Sequence, residues 1–470
     1  MATNRENGGL VKGLGLLDST TLVMGSMIGS GIFIVAADIS RQVNSPGLLM
    51  MTWLVSAAMT LIAALSYGEL AAAMPHAGGQ YVFLREAFGP LWGFLYGWTL
   101  FLVIQTGTIA AVAVAFAKYT GIFFPSVADT NYLFGQGRLG LNTQELLAIA
   151  MVLLLSWSNT RGIRTGAAVQ NVFTFAKTAA LLGLIGFGFL VGHNPAAVQA
   201  NFTGFWRHSG WNFDSVRLVG VAMVGALFSC DAWNNITFTA AEVRNPKRNL
   251  PLSLALGVGL VCALYLACNL VYLYLLPLDA IQHAPQDRVA AAAAHIFSPV
   301  AMELMAAAIM ISAFGCNNGL ILAGARVSYA MAKDGVFFQR AAAVDPVHHT
   351  PRFALAVQCI WTVLLILSGS YNDLLDYVIF AALLFYILTI SALFVLRRKR
   401  PDLERPYRAF GYPVLPALYL AAAVLISVLL LIYKTNFAGR GLAIVVLGLP
   451  VYFMWRRRSP PPALAPPAAK

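Results

Sequence analysis

Twelve apolar stretches, at 16–39, 48–73, 91–123, 144–160, 167–192, 217–240, 252–276, 298–331, 353–370, 374–396, 412–433 and 441–455, take up 287 of the 470 residues. A helix needs about 20 largely apolar residues to cross a ~30 Å hydrocarbon core. The connectors left over are too short for a separate soluble domain. Only 11% of the residues are Asp, Glu, Lys or Arg, against about a quarter in soluble domains. A soluble enzyme, a coiled coil and a disordered chain are thereby excluded. The pattern predicts an all-α polytopic membrane protein with twelve transmembrane helices. The first stretch is too long for the 7–15-residue apolar core of a signal peptide and reads as a retained helix.

The net charge of +12 is explained by topology rather than by a nucleic-acid partner. With the N-terminus inside, 22 of the 31 Lys and Arg fall in inner segments and eight in outer ones, and Lys177 is left over inside a helix. Positive residues collect in cytoplasmic loops, so both termini are expected in the cytoplasm of a cell membrane, residues 1–15 before the first helix and 456–470 after the last. The tail after Arg458, rich in Pro and Ala, reads as unstructured. All five cysteines, Cys230, Cys262, Cys268, Cys316 and Cys359, lie in apolar stretches, which argues against a disulfide framework.

Three places break the rule that a membrane helix is apolar and continuous. In the first helix, Gly25-Ser26-Met27-Ile28-Gly29-Ser30-Gly31 places three glycines and two serines in seven positions. Two readings fit: a small-residue packing face through Gly25-x-x-x-Gly29, or an unwound segment whose free amide N–H groups and positive dipole end receive a carboxylate. In the sixth helix, Phe228-Ser229-Cys230-Asp231-Ala232-Trp233-Asn234-Asn235 puts a carboxylate and two amides at mid-depth. Asp231 is too short to snorkel, and such a charge needs protonation, pairing or hydration. In the fifth, Lys177 lies ten residues, roughly 15 Å, from the inner end. Its expected partners are unpaired carbonyls of a broken helix, or Asp231. The interrupted first and sixth helices are five apart, which fits two five-helix halves of opposite orientation with a transport site between them.

The runs GSMIGSGIF (from Gly25), LFSCDAWNNITFTAAEVRNPKRNLPLSL (from Leu227), VQNVFTFAKTAALL (from Val169), PHAGGQYVFLREAFGPLWGFLYGW (from Pro75) and, more weakly, CNNGLILAGARVSYAMAKDG (from Cys316) resemble the L-type amino acid transporter branch of the amino acid–polyamine–organocation superfamily. The resemblance spans residues 16 to about 400. It implies a LeuT-like 5+5 inverted repeat, residues 16–192 and 217–396, with helices 1 and 6 unwound at mid-membrane and two further helices in 397–455. It also implies a substrate with an α-carboxylate and an α-amine, a permease rather than an enzyme, and no cofactor or metal.

Carried over by position, the amides of Gly29, Ser30 and Gly31 and the hydroxyls of Ser26 and Ser30 receive the carboxylate. The carbonyls of Met27, Ile28, Phe228, Ser229 and Asp231 face the ammonium. Phe228 is the aromatic lid, with Trp233 and Asn234 behind it and the small Ala232 leaving room for substrate. Lys177 matches a helix-5 lysine whose ammonium occupies the space of a sodium ion, which implies sodium-independent transport. For Asp231, selection of polar or cationic side chains and proton titration both stay open. Gln105, Thr108, Asn317 and Phe385 or Tyr386 are candidates for the side-chain pocket, or equally for helix–helix contacts. Animal members join an accessory subunit through a cysteine between helices 3 and 4; residues 124–143 contain none, so no disulfide-linked partner is expected.

Sodium-independent transport of neutral amino acids by alternating access, as an exchanger, is the resulting expectation, with proton-coupled symport as its rival. An intramembrane enzyme and a non-transporting receptor are remoter. The chain has no Gly-Lys dipeptide and hence no P-loop. Its seven histidines, His76, His193, His208, His283, His295, His348 and His349, fall in loops or near helix ends, leaving none for serine or zinc chemistry inside the membrane.

Overall fold

The computed structural model describes residues 9–456 apart from 136–139, 193, 208, 211, 285–288, 291–292, 294–297 and 369–370. His193, His208, His295, Arg138, Arg288 and the Pro/Ala-rich tail therefore lie outside the described residues. The first five helices are α1 (Leu16–Met27), α2 (Gly31–Val43), α3 (Pro46–Ala73), α4 (Gln80–Phe88) and α5 (Pro90–Thr99). A π-turn at Leu100–Ile104 leads into α6 (Gln105–Phe123), and a short hairpin, β1 (Tyr132–Phe134) and β2 (Leu141–Asn142), precedes α7 (Thr143–Asn159). Then come α8 (Ile163–Leu190), α9 (Pro195–Phe202), α10 (Phe213–Ser229), α11 (Asn235–Phe238), α12 (Pro246–Leu275) and α13 (Leu278–Gln282). The chain closes with α14 (Pro299–Lys333), α15 (Arg352–Leu367), α16 (Tyr371–Lys399), α17 (Val414–Tyr433) and α18 (Thr435–Arg456).

Helix starts follow local chemistry. Proline stands in the first turn of α3, α5, α12 and α14, where its missing N–H is no loss. Asn142 and Glu145 cap α7 reciprocally, each side chain accepting from the other's backbone N–H at 2.8 and 3.2 Å.

Nine segments among the described residues are long and apolar enough to cross a membrane, which makes this a multi-pass membrane protein. The other three expected spans correspond to α7, α10 and α15, with 17, 17 and 16 residues. At the helical rise these reach roughly 24–26 Å, short of a full hydrocarbon core. The stretch 217–240 is not one continuous helix, because α10 stops at Ser229.

The faces of α8 are sorted for lipid. Gln170, Thr174, Lys177, Leu181, Leu184 and Gly188 are buried at alternating spacings of four and three, whereas Val172, Phe175, Leu182, Phe187 and Leu190 are exposed. This is the reverse of a water-soluble helix and matches a polar interior with an apolar outer surface. The α1–α2 pair forms the centre: 83% of its apolar window is buried inside the bundle, against 28% for α8. α1 packs on α8, α12 and α14, and α2 packs on α10.

Candidate functional site

The site begins where α1 ends. The chain leaves helical geometry at Ile28 (φ −74°, ψ 87°) and resumes it at Gly31. Helix ends expose unpaired carbonyls on one side and unpaired amides on the other. The carbonyl side is filled by the protein. Lys177, fully buried, donates from Nζ to Gly25 O at 2.5 Å and to Ile28 O at 2.7 Å. Ser312 donates from Oγ to Ile28 O and Gly29 O at 3.0 and 3.1 Å. Met27 O accepts from the Tyr265 hydroxyl and from Gly29 N, both at 2.9 Å. The ammonium thus sits at the negative end of the α1 dipole, with carbonyls replacing the hydration that burial removes. Of the two expected partners for Lys177, the broken-helix carbonyls are the ones that hold it.

A carbonyl has two lone pairs, and both are taken on Met27 and on Ile28. The expectation that these two carbonyls face a substrate ammonium is not met in this arrangement. The amide side differs: among the described residues, the backbone N–H groups of Ser30, Gly31 and Ile32 have no intramolecular acceptor. The Ser26 hydroxyl, also buried, has no partner.

The second break starts at Cys230 and ends at Asn235. Ala232 holds it open with φ 65°, a left-handed conformation that a residue with a Cβ adopts only at a cost in strain. The two breaks meet. A Cβ on Gly31 would run into Ser229, whose Oγ, Cβ and Cα all lie within close contact of that point, so only glycine allows this approach. The carbonyls of Ser229, Cys230 and Asp231 accept from no donor among the described residues, whereas Phe228 O accepts from Asp231 N at 3.2 Å. One face of the junction therefore carries free N–H donors and the other free carbonyl acceptors.

A small cavity adjoins the second break, lined by Asp231, Ala232, Asn234, Asn235, Gln105, Thr108 and Tyr386 together with Gln80, Tyr96 and apolar neighbours. The Tyr386 hydroxyl donates to Asp231 Oδ1. Asn234 Nδ2 donates to Gln80 Oε1 at 2.9 Å, and Gln105 Nε2 to Leu320 O at 2.7 Å. Trp233 lies behind, stacked on Tyr386 with ring centroids 5.5 Å apart and edge-on to Tyr67 at 4.7 Å. Phe228 and Asn317 do not line this cavity. Phe228 is half-buried in the last turn of α10, and Asn317 Nδ2 donates to Ile109 O at 3.1 Å, tying α14 to α6. Of the two aromatic candidates on α16, Tyr386 faces the cavity and Phe385 packs on Tyr96.

Sequence reasoning did not select Gln80, Tyr96, Tyr265 or Ser312 as site residues. Gln80 and Tyr96 stand within a run already singled out, but only the folded chain brings them to the break. Among the described residues no cluster of His, Cys, Asp or Glu could hold a metal.

The amino acid permease family model matches residues 14–453. The chain belongs to the amino acid permease family. It is 31% identical to the serine/threonine exchanger SteT of Bacillus subtilis over 96% of this chain and 99% of that protein. It is 29% identical to the human Asc-type amino acid transporter 1, over 96% of this chain and 84% of that one. To the mouse large neutral amino acids transporter small subunit 2 it is 30% identical, over 95% and 81%. These relatives are named as transporters, not enzymes.

Proposed function

We propose that the protein moves neutral amino acids across a cell membrane by alternating access, exchanging one for another without sodium. The observation that carries this reading is the junction of the two breaks. Free amides of Ser30 and Gly31, with the Ser26 hydroxyl, suit an α-carboxylate at a helix N-terminus. Gly29 belongs to this group through its place in the break; its own amide bonds Met27 O. The open carbonyls of Ser229 and Asp231 suit the α-ammonium, and Phe228 beside them serves as the lid. Lys177 stands where a cation would otherwise be needed, holding Gly25 and Ile28 carbonyls with its own ammonium. The relatives named for exchange and for neutral substrates support the substrate class.

The same reading takes the fold as twelve spans in a 5+5 inverted repeat, 16–192 and 217–396, with both termini cytoplasmic. It takes the chain as working without a disulfide-linked partner, although one relative is named a small subunit: all five cysteines of this chain are buried, free thiols. One observation favours a second reading, proton coupling: Asp231 shares a hydrogen bond with Tyr386 beside the break. Counterflow in proteoliposomes decides between them. Exchange of labelled for unlabelled neutral amino acid, unaffected by sodium or a pH gradient, is expected. Accumulation driven by an inward proton gradient and lost in Asp231→Asn would establish symport instead. No exchange of any amino acid would overturn the transport reading.

A further inference from the structure

We infer that the loop between α16 and α17 is a docking site for the headgroup of an anionic phospholipid, with Arg398 and Arg408 as its contacts. The inference goes beyond the transport reading and does not depend on it. Residues 397–408 include six basic side chains, Arg397, Arg398, Lys399, Arg400, Arg405 and Arg408. Topology accounts for their number, but not for the way the loop is folded. Two of the six are used as scaffolding around Glu69, a buried residue of α3. Glu69 accepts from Arg397 Nε and Nη2 at 2.9 and 2.6 Å and from Ala409 N at 2.7 Å, with Arg405 Nε at 3.3 Å. Arg405 also donates to the carbonyls of Leu396, Arg400 and Leu403 at 3.0, 2.8 and 2.7 Å. One carboxylate thus ties both ends of the loop together and sets its shape.

Two more of the six turn toward α4: Lys399 Nζ donates to Ala87 O at 3.2 Å, and Arg400 lies 3.9 Å from Glu86. Arg398 and Arg408 are left. Both are exposed, and neither has a hydrogen bond or a carboxylate partner among the described residues. Of the two acids in the loop, Glu404 pairs with Lys247 at 2.6 Å, and the exposed Asp402 pairs with neither arginine. Arg398 follows Arg397 and Arg408 precedes Ala409, so both guanidiniums stand on backbone anchored at the one carboxylate. The loop also marks its depth. Phe410 is 70% exposed, and Val414 and Leu418, at successive spacings of four, are 61% and 57% exposed. Such a stripe belongs in hydrocarbon, so the bilayer boundary passes close to Phe410, two residues from Arg408. A guanidinium at that level meets phosphates, which it bonds through two N–H groups at once. A zwitterionic headgroup carries its own cation and gains less from the unpaired charges. An acidic soluble segment matches the charge but leaves Phe410 without a partner.

The test places a reporter in the loop of the full-length chain. Phe410→Trp in proteoliposomes is titrated with brominated phosphatidylglycerol and, separately, with brominated phosphatidylcholine. The chain's nine native tryptophans are removed by difference against the unmodified protein. We expect phosphatidylglycerol to quench the added tryptophan with an affinity about fivefold or more above phosphatidylcholine, the preference shrinking as salt is raised. Adding Arg398→Gln and Arg408→Gln should bring the ratio to within about twofold, whereas Arg398→Lys and Arg408→Lys should keep most of it, because both carry the charge that a headgroup reads. Equal quenching by the two lipids with both arginines present would overturn the inference. So would a preference that survives the glutamine pair, which would place its source elsewhere on the surface. Loss of the preference on adding inorganic phosphate or a soluble acidic peptide at constant ionic strength would also overturn it, by assigning the arginines to a soluble anion. If the glutamine pair does not fold, the lipid ratio and its salt dependence with both arginines in place still decide. Amino acid exchange is not read at any point, so failure here leaves the transport reading standing.

Discussion

The Lys177 ammonium reaches the carbonyl oxygen of Ile28 at 2.7 Å, one residue beyond the last helical residue of α1. Together with its bond to Gly25 O at 2.5 Å, this makes Lys177 the clasp of the first break. The side chain comes from α8, so the clasp couples the shape of the gap to the position of another helix. Replacing Lys177 with methionine keeps most of the volume and removes the charge and all three donors. Gly25 O and half of Ile28 O are then left unpaired inside the bundle. Exchange in proteoliposomes should fall at least about tenfold, with the purified protein still eluting as a monodisperse peak. Full exchange by Lys177→Met would show that the clasp is dispensable.

Gly31 offers a test of the contact between the breaks. Alanine there places a Cβ against the Oγ, Cβ and backbone Cα of Ser229, and well-packed interiors absorb such overlap only by moving backbone. Gly31→Ala should therefore reduce exchange by about an order of magnitude. Adding Ser229→Gly clears two of the three clashing atoms and should restore part of the loss. Losses that simply add in the double variant would mean that the two positions act independently.

Much of this was legible in the sequence, and the reason is lipid. A membrane interior penalises every charge and every irregular backbone group, so the glycine-serine run at 25–31, Asp231 and Lys177 stood out without any knowledge of their neighbours. Their partners were not legible. Tyr265 and Ser312, which occupy the Met27 and Ile28 carbonyls, are 238 and 284 residues away from them in the chain. Hydroxyl groups in apolar helices are too ordinary to announce a contact at that range. For Asn317 the sequence left substrate contact and helix–helix contact equally open, and only the folded chain shows its amide serving the Ile109 carbonyl.

Asp345 provides a pH signature away from the membrane-spanning segments. Its carboxylate accepts from His348 N at 2.7 Å and Val347 N at 3.1 Å and pairs with Arg352 at 2.9 Å. The backbone bonds from His348, then those from Val347 and the Arg352 charge, hold its pKa below the usual carboxylate range. A depressed folded-state pKa means that the stabilisation is complete above the unfolded value of about 3.9 and is lost as pH falls through the folded one. Asp345→Asn keeps an acceptor but no charge. The melting temperature of the unmodified protein should exceed that of the variant at pH 6, and the two should converge as pH drops below about 4. A gap of constant size down to pH 3 would assign the turn's stability to something other than this charge.

Glu242 and Arg326 form an ion pair in which both side chains are essentially inaccessible, Nε to Oε2 at 2.8 Å and Nη2 to Oε1 at 3.1 Å. The backbone of Glu242 also receives Gly13 N and Leu14 N at 2.8 and 3.0 Å, so the pair links the segment before α1, the chain after α11 and the last turns of α14. A buried pair of this kind is not strongly stabilising relative to apolar residues, yet breaking it from one side strands a charge and costs about 3–5 kcal/mol. Glu242→Gln should therefore lower the melting temperature of the detergent-solubilised protein markedly, and Arg326→Met should do so as well. The double variant Glu242→Gln/Arg326→Met leaves no uncompensated charge and should melt above either single variant. If the double variant melted at the sum of the two losses, the side chains would be acting separately, and the link between the N-terminal segment and α14 would have to run through the backbone bonds alone.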